Sequence, residues 1–383
     1  MPYYWARFKP NRRPALRGGA KAEKFTYIGN MNARLLSADE LPVKLRYHAR
    51  ELVGDDALLA KLQARSDLIG LALVVHGWAV IFGAMAMFYL FPNPLTFILA
   101  VMIIGARQLG LAVLMHDAAH NALFKTLSWN DSLSDWLCGY PLMARTDAYR
   151  RYHLVHHTRT QQEDDPDLIL SKPFPITRKS LRRKLFRDLT GQTGYQQRKA
   201  QIINAFGDPT MRLGERLRHF SEKLGASVLA NLIILGLCAA LFHWSYYLMF
   251  WLLPFLTYHM AITRLRNIAE HAIVPDNHDA FRSSRTTKAN WLARALIAPY
   301  WVNYHVEHHL LMHVPCYRLP LFHRYLTGRD FAKRMELSPG YLDVLARATA
   351  RPNDEDEPGT IVHNGRNRLK GTFTEGFSEP PQA

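Results

Sequence analysis

The amino-acid sequence predicts an all-α, polytopic membrane protein with four transmembrane helices in two hairpins and a helical cap that carries a metal site. Two observations predict this class. Four long apolar runs occur in two pairs, and histidine clusters follow the second and fourth runs. A helix of about 20 apolar residues crosses the roughly 30 Å hydrocarbon core of a bilayer, and these runs have about that length.

The first two runs predict a helical hairpin. Leu68 to Phe91 is almost free of charge, and only an F-P-N-P corner separates it from the run Pro94 to Met115. Arg107 and Gln108 interrupt the second run, and polar side chains are costly in hydrocarbon. We therefore expect both to face the bundle in a functional or packing role, with snorkelling or an interhelical contact as the alternative.

The third and fourth runs predict a second hairpin. Gly225 to Phe242 is followed by a His243-Trp244 corner and then by Ser245 to Thr263. An even number of crossings separates all the histidine clusters, because one lies after the second run, one before the third and two after the fourth. The clusters can therefore meet at one face of the membrane.

Charge predicts the orientation. The chain has 48 Lys and Arg against 32 Asp and Glu, and the basic excess lies outside the two short corners. The positive-inside rule then places both termini and all the histidine clusters in the cytoplasm. Attraction to anionic lipid headgroups is a compatible reading of the same charge. Nucleic-acid binding is disfavoured, because the basic residues flank membrane spans instead of forming one soluble patch.

The segments outside the spans divide the chain further. We expect an N-terminal cytoplasmic segment at 1–67, a membrane domain at 68–326, a C-terminal helical extension at 327–350 and a disordered tail at 351–383. The basic stretch from Arg178 to Arg218 predicts a helical cytoplasmic cap. Only three cysteines occur, without a pairing pattern, so disulfides and thiolate metal sites are disfavoured.

Histidines carry the clearest chemical signal. H-D-A-A-H at 116–120, H-L-V-H-H at 153–157 and H-V-E-H-H at 305–309 form three boxes, and R-N-I-A-E-H at 266–271 adds a fourth element. Residues three and four apart share one helix face, where imidazoles can chelate a metal ion. Nine histidines are too many for one ion, so we predict a dinuclear site. The candidate ligands are His116, His120, His153, His156, His157, His271, His305, His308 and His309, and Asn267, four residues before His271, could face the same space.

The donor set narrows the choice of metal. Imidazole suits zinc, copper, iron or nickel. A hydrolytic zinc site needs about three protein ligands, so a di-iron pair that binds oxygen and attacks an unactivated C–H bond matches nine histidines better. A zinc hydrolase or a metal carrier remains the non-redox alternative. Carboxylates orient metal-bound histidines, and the acidic run at 163–167 offers Asp164, Asp165 and Asp167 for this role.

The three boxes in this order, and the N-Y-H-V-E-H-H-L ending followed by V-P-C-Y-R-L-P, resemble the membrane fatty acid desaturase and hydroxylase superfamily over residues 68–326. The resemblance implies a non-haem di-iron centre held by the nine histidines, with Asn267 contacting an iron directly or through water. It also implies oxygen-dependent oxidation of a long hydrocarbon chain. The first box has three residues between its histidines, as is typical of acyl-lipid and sphingolipid desaturases and of some hydroxylases or ketolases.

The expected reaction is desaturation of a lipid acyl chain with two iron ions and O2. Hydroxylation or ketolation of a lipid or terpenoid by the same centre is the alternative. The sequence shows no dinucleotide fingerprint, haem motif or fused redox domain. We therefore expect electrons from a separate ferredoxin, rubredoxin or cytochrome, which could dock on the basic cytoplasmic face.

Overall fold

The computed structural model describes residues 49–350, and this part of the chain is mostly helical with almost no strand. Four of its helices are long and apolar enough to cross a membrane. The predictions of an all-α fold and four spans are therefore confirmed. Residues 1–48 of the expected N-terminal segment and the expected tail at 351–383 lie outside the described residues.

The spans are Asp67–Leu90 (span 1), Pro94–Ala119 (span 2), Ala226–Leu241 (span 3) and the stretch Tyr247–His271 (span 4). Spans 2 and 4 run further than the apolar runs predict. The first histidine box and the Asn267–His271 element are the last turns of these helices, not separate segments after them. These histidines are consequently held by the same rigid helices that cross the membrane.

Local sequence explains where the first hairpin turns. The Ser66 side chain caps span 1 by accepting a hydrogen bond from the Ile69 amide at 3.3 Å. The Asn93 side chain caps span 2 by accepting from the amides of Leu95 and Thr96 at 3.0 and 3.1 Å. Such caps satisfy the amides that a helix leaves unpaired in its first turn. Three residues are thus enough to reverse the chain between spans 1 and 2.

The second hairpin is less regular. Span 3 continues from the helix Leu213–Phe220 through a π-helical turn at Ser221–Gly225. Span 4 begins with a π-helical turn at Tyr247–Leu252, continues as Leu253–Leu256 and breaks at Thr257 before its last helix, Tyr258–His271. Thr257 has a non-helical φ of −118° and ψ of −90°, and the helix that follows it carries Asn267 and His271.

The polar residues of span 2 make interhelical contacts. Gln108 Nε2 donates to the Trp251 carbonyl in span 4 at 2.8 Å. Arg107 Nη2 donates to the Ala295 carbonyl at 2.8 Å, and its guanidinium lies 5.5 Å from the centre of the Tyr300 ring. Both side chains therefore face the bundle, and their hydrogen bonds are the interhelical contacts that were given as the alternative.

Tyr300 is inserted between spans 1 and 2. A Cβ added at Gly110 would lie 2.7 Å from the Tyr300 ring, so only glycine allows this approach. The Tyr300 hydroxyl donates to the Leu73 carbonyl at 3.1 Å, and the residue has a left-handed φ of 51°. Since Tyr300 lies five residues before the third histidine box, this insertion attaches the box to the membrane helices.

The remaining elements lie outside the spans. A two-stranded parallel sheet pairs Thr286–Thr287 with Leu337–Ser338 and closes the region after span 4. The helices are Ala49–Val53, Asp56–Gln63, Leu127–Asn130, Ser132–Ser134, Asp135–Gly139, Tyr140–Leu142, Thr146–Arg159, Leu168–Ser171, Arg178–Leu189, Gln192–Ala205, Trp291–Leu296, Pro299–Trp301, His305–Leu310, Cys316–Arg318, Leu319–Thr327, Asp330–Lys333 and Tyr341–Ala348.

Two of these helices form the element called here the cap hairpin, Arg178–Leu189 with Gln192–Ala205. The stretch is helical, as its sequence predicts. It does not lie only over the histidine end of the bundle, because its turn packs against Leu256 in span 4. Thr146–Arg159 and His305–Leu310, by contrast, cover the ends of the spans and carry the second and third boxes.

Candidate metal centre

The structure brings all nine predicted histidines together in two adjacent groups. Within each group the nearest ligand atoms lie within 4.8 Å of one another. The five-histidine group is formed by His116, His120, His153, His157 and His308, and the four-histidine group by His156, His271, His305 and His309. Eight of the nine residues are buried, and His309 is partly buried. The side chains thus meet as the box spacing predicts, in a set large enough for two metal ions.

Two boxes are divided between the groups. In the second box, His153 and His157 belong to the five-histidine group and His156 to the other. In the third box the division is reversed, because His305 and His309 belong to the four-histidine group and His308 to the other. Residues four apart point in nearly the same direction on a helix, whereas the residue at the third position points to one side. Each of these two helices therefore serves both groups.

The distances between imidazole nitrogens suit metal ligands. His157 Nε2 lies 3.0 Å from both His153 Nε2 and His308 Nε2. His305 Nε2 lies 2.8 Å from His271 Nε2 and 3.1 Å from His309 Nε2. Adjacent ligands of an octahedral ion with metal–nitrogen bonds of about 2.0–2.1 Å are about 2.9 Å apart.

Unsatisfied nitrogens give a second indication. His116 Nε2 and both ring nitrogens of His120 are buried without a hydrogen-bond partner anywhere in residues 49–350. Leaving a buried polar atom unpaired costs about 1–3 kcal/mol, and a metal ion would remove that cost. The residues present therefore fit a pair of metal ions bound through imidazole.

Burial keeps these imidazoles neutral. Desolvation lowers the pKa of His120, His153, His157, His305 and His309 well below the usual value, and neighbouring histidines lower it further. For His308 burial lowers the pKa to about 3, with a smaller effect of Arg266. A neutral imidazole has a free lone pair, which is the form that binds a metal.

The three aspartates after the second box differ in burial and in their distance from the histidines. Asp165 is buried and lies 2.9 Å from His156 Nδ1, where it accepts the N–H hydrogen bond and leaves Nε2 free for a metal. Asp167 lies 3.8 Å from the same nitrogen and accepts from the Tyr152 hydroxyl, and burial raises the pKa of Asp167 to about 6. Asp164 is exposed and pairs with Arg159 at 3.2 Å, away from the histidines.

Further carboxylates contact the boxes from within. Glu270 Oε1 lies 3.6 Å from His305 Nδ1 and 2.5 Å from Arg266 Nε, which forms a buried ion pair with it. Asp117 accepts a hydrogen bond from the Cys316 amide at 2.6 Å and so ties the first box to the segment after the third. Each carboxylate therefore joins a histidine-bearing helix to a distant part of the chain.

A small cavity opens beside the four-histidine group. Its walls include Asn267, Arg266 and Leu170 together with polar side chains of that group and its neighbours. Asn267 is only partly buried. Asn267 lines this cavity together with His156, His271 and His305.

The sequence shows Glu307 inside the third box, but its partners were not predicted. Glu307 is completely buried and accepts hydrogen bonds from Thr286 Oγ1, at 2.5 Å, and from His323 Nδ1. His313 Nδ1 lies 3.1 Å from the His120 carbonyl oxygen. The only available signal was that Glu307 occupies a position on the box helix opposite to the three histidines, where a buried carboxylate needs partners.

Fold and site together define a membrane protein in which two spans and two box helices, Thr146–Arg159 and His305–Leu310, converge on a histidine-rich site able to hold two metal ions. The Fatty acid desaturase family matches residues 92–336, and the chain belongs to this family. Dihydrorhizobitoxine desaturase from Bradyrhizobium elkanii is 29% identical over 262 residues, which are 65% of this chain and 70% of the relative. The protein is accordingly a desaturase- or hydroxylase-type oxidoreductase of the membrane, and the resemblance seen in the sequence is confirmed.

Proposed function

We propose that the protein uses O2 to desaturate the acyl chain of a lipid at a histidine-ligated di-iron centre. The observation that supports this most is the convergence of nine imidazoles in two groups on membrane-spanning helices. The family and a relative named as a desaturase favour removal of two hydrogens over insertion of oxygen. Hydroxylation or ketolation by the same centre is the competing outcome.

The nine histidines are the proposed ligands, and two bound iron ions would supply the redox chemistry that attacks an unactivated C–H bond. The chain's own residues orient these ligands. Asp165 holds the N–H of His156 so that Nε2 faces its group. Asp167 lies near His156, and Glu270 pairs with Arg266 beside the four-histidine group. Asp164 pairs with Arg159 at the surface.

Asn267 is proposed as the tenth ligand, directly or through water. It lines the cavity beside His156, His271 and His305, where a polar oxygen would complete a set of four histidines. An exchangeable position here leaves room for O2, since a reactive metal site keeps part of its coordination open.

The remaining proposals concern the setting of the reaction. Electrons come from a separate ferredoxin, rubredoxin or cytochrome, and the histidine side of the membrane is the cytoplasmic side. The formal net charge of +16 supports both, through the positive-inside rule and through attraction of an acidic donor.

Lipid profiling tests the reaction. A host that expresses the protein is expected to accumulate lipids lighter by two hydrogens, measured by mass spectrometry, while the His156→Ala variant produces none. The His278→Ala variant changes an exposed histidine outside both groups and is the matched control. Lipids heavier by one oxygen would establish hydroxylation instead, and unchanged lipids with zinc-loaded protein would refute the oxidative assignment.

A further inference from the structure

The cap hairpin has an unusual position relative to the membrane spans. Its first helix, Arg178–Leu189, runs along span 4 from the histidine end toward the middle. Near the start of this helix, Leu181 packs in one cluster with Ile268. Near its end, Asp188 pairs with Arg264, one helical turn lower in span 4. The helix therefore descends beside the membrane span.

The turn of the hairpin is the part that lies farthest from the histidine end of span 4. A Cβ added at Gly191 would lie 3.6 Å from Thr257, and one added at Gly194 would lie 2.4 Å from the Leu256 carbonyl oxygen. The second contact is closer than any side chain allows, so glycine lets the turn pack directly on the backbone of span 4.

The second helix rises again. His219 Nδ1 lies 2.7 Å from the Ala205 carbonyl at the end of this helix, and the Phe206 and Phe220 rings stack at 4.6 Å. Phe220 lies before span 3, on the same side as the histidines. Both ends of the hairpin are thus at the histidine side, and only its turn approaches the middle of span 4.

The rise per residue of a helix gives the approximate depth of the hairpin turn along span 4. Leu256 lies nine residues after Tyr247 and fifteen before His271, which is about 14 Å and 22 Å at 1.5 Å per residue. A hydrocarbon core about 30 Å thick takes up about 20 residues, so a core that begins at Tyr247 extends to about Arg266. The turn of the hairpin lies well inside that range.

The exposed side chains include large apolar ones near the turn of the hairpin and basic ones near its open end, as expected if the turn lies deeper in the membrane. Near the turn, Phe186 and Tyr195 are 62% and 57% exposed and Leu189 is also exposed, as are the polar residues Thr190 and Gln192. Two polar side chains at the turn bond locally, since Thr190 Oγ1 donates to the Phe186 carbonyl at 2.8 Å and Gln192 Nε2 lies 3.1 Å from Thr190 Oγ1. Internal satisfaction of polar groups is the condition for placing backbone in a bilayer.

The opposite end of the hairpin is basic. Residues 178–205 contain eight Lys and Arg against a single acidic residue, Asp188, and five of the eight fall in residues 178–184. Arg198 lies nearer the turn, with its guanidinium 5.0 Å from the centre of the Phe255 ring. Arg178, Lys179, Arg182 and Arg183 are exposed and lie toward the open end. Their long side chains can reach the headgroup layer while the apolar turn lies deeper.

We propose that the cap hairpin is a re-entrant membrane element inserted turn-first into the leaflet on the histidine side. Its turn contacts lipid acyl chains, and the basic residues at its open end bind anionic lipid headgroups. The partner of this surface is the lipid bilayer.

Fluorescence quenching in nanodiscs tests the depth. Single cysteines replace Phe186 and Tyr195 at the turn, Leu232 on the exposed face of span 3, and Leu342, which is 83% exposed on the helix Tyr341–Ala348. Each is labelled with an environment-sensitive dye in native membranes before purification. The three native cysteines are buried, so the unsubstituted chain serves as the labelling blank.

Brominated acyl chains are expected to quench Phe186→Cys and Tyr195→Cys as strongly as Leu232→Cys, and at least several-fold more than Leu342→Cys. Aqueous iodide should give the reverse order. Turn probes that behave like the Leu342 probe would overturn the proposal. So would turn probes protected from both quenchers, because a second copy of the chain would then cover the surface.

Lipid retention tests the headgroup contact. Native mass spectrometry of protein from mixed phosphatidylglycerol and phosphatidylcholine is expected to show preferential retention of the anionic lipid. The Arg182→Gln/Arg183→Gln double variant should lose at least half of this preference. The control, Arg282→Gln/Lys288→Gln, removes two exposed charges outside the hairpin and should retain it. Equal loss in both double variants would reject a specific role for the hairpin.

Discussion

The two histidine groups differ in their surroundings more than in their ligands. In the five-histidine group every residue is buried, and His116 Nε2 and both ring nitrogens of His120 have no hydrogen-bond partner in the described part of the chain. The four-histidine group has a carboxylate on His156, a partly buried member in His309 and an adjoining cavity. The first group resembles a closed metal site and the second a site with space for a further ligand. We therefore expect the variable coordination position in the four-histidine group.

Ligand number gives the largest expected difference between the groups. His271→Ala leaves three histidines in its group, whereas His120→Ala leaves four, as many as the other group has when intact. We expect His271→Ala to lose one ion per chain and to lower product formation by more than the about 10–100-fold typical of outer-shell changes. His120→Ala should retain more metal.

Iron content by mass spectrometry of purified protein, together with lipid product per chain, measures this difference. His278→Ala should match the wild type in both respects. Equal metal loss in the two ligand variants would show that the fifth histidine does not help to retain the ion. It would contradict the proposed difference between the two groups.

The carboxylate next to His156 gives an intermediate effect. Asp165→Asn keeps the shape of the side chain but weakens acceptance of the His156 N–H, and we expect metal affinity or activity to fall about 10–100-fold. Asp164→Asn is the matched control, since Asp164 is 62% exposed and its pair with Arg159 contributes at most about 1 kcal/mol. Metal titration monitored by absorbance distinguishes the two. An Asp164 variant as impaired as the Asp165 variant would contradict the assigned orienting role.

Substitution of Asn267 is expected to have the smallest effect, and it tests whether the cavity beside the four-histidine group holds the open coordination position. Asn267→Ala should retain both ions, because all nine histidines remain, and should lower the rate of product formation about tenfold, as expected for one lost hydrogen bond of about 1.4 kcal/mol. Asn204→Ala changes an exposed asparagine in the cap hairpin and should have no effect. Complete metal loss on changing Asn267 would show that it supports the helix and not the open position.

Much of the site follows from local spacing. His116 and His120, or His305 and His309, share a helix face wherever their helices lie, so a chelating role is predictable from the sequence. Asp165 was one of three equivalent candidates, and the fold selected it by burying it against His156 while Asp164 stayed in solvent. His323 gave no signal at all, because its contact with Glu307 depends on how two separate helices pack.

The cap hairpin shows the same limit for the fold. Its basic, helix-forming sequence predicts helices near a membrane surface, and the structure has them. Their descent along span 4 depends on Gly194 meeting the Leu256 backbone, a contact between residues more than sixty positions apart. Local composition carries no information about such a contact.

The sequence by itself determined the class of this protein: four apolar helices in two hairpins, nine clustered imidazoles and the family they indicate. The length of an apolar run and the helical spacing of residues are local properties, which do not depend on how the helices pack. Only the tertiary structure decided how the histidines divide into five and four, and which group has an adjoining cavity. Both depend on the directions in which spans 2 and 4 and the two box helices converge, and those directions come from packing between distant segments.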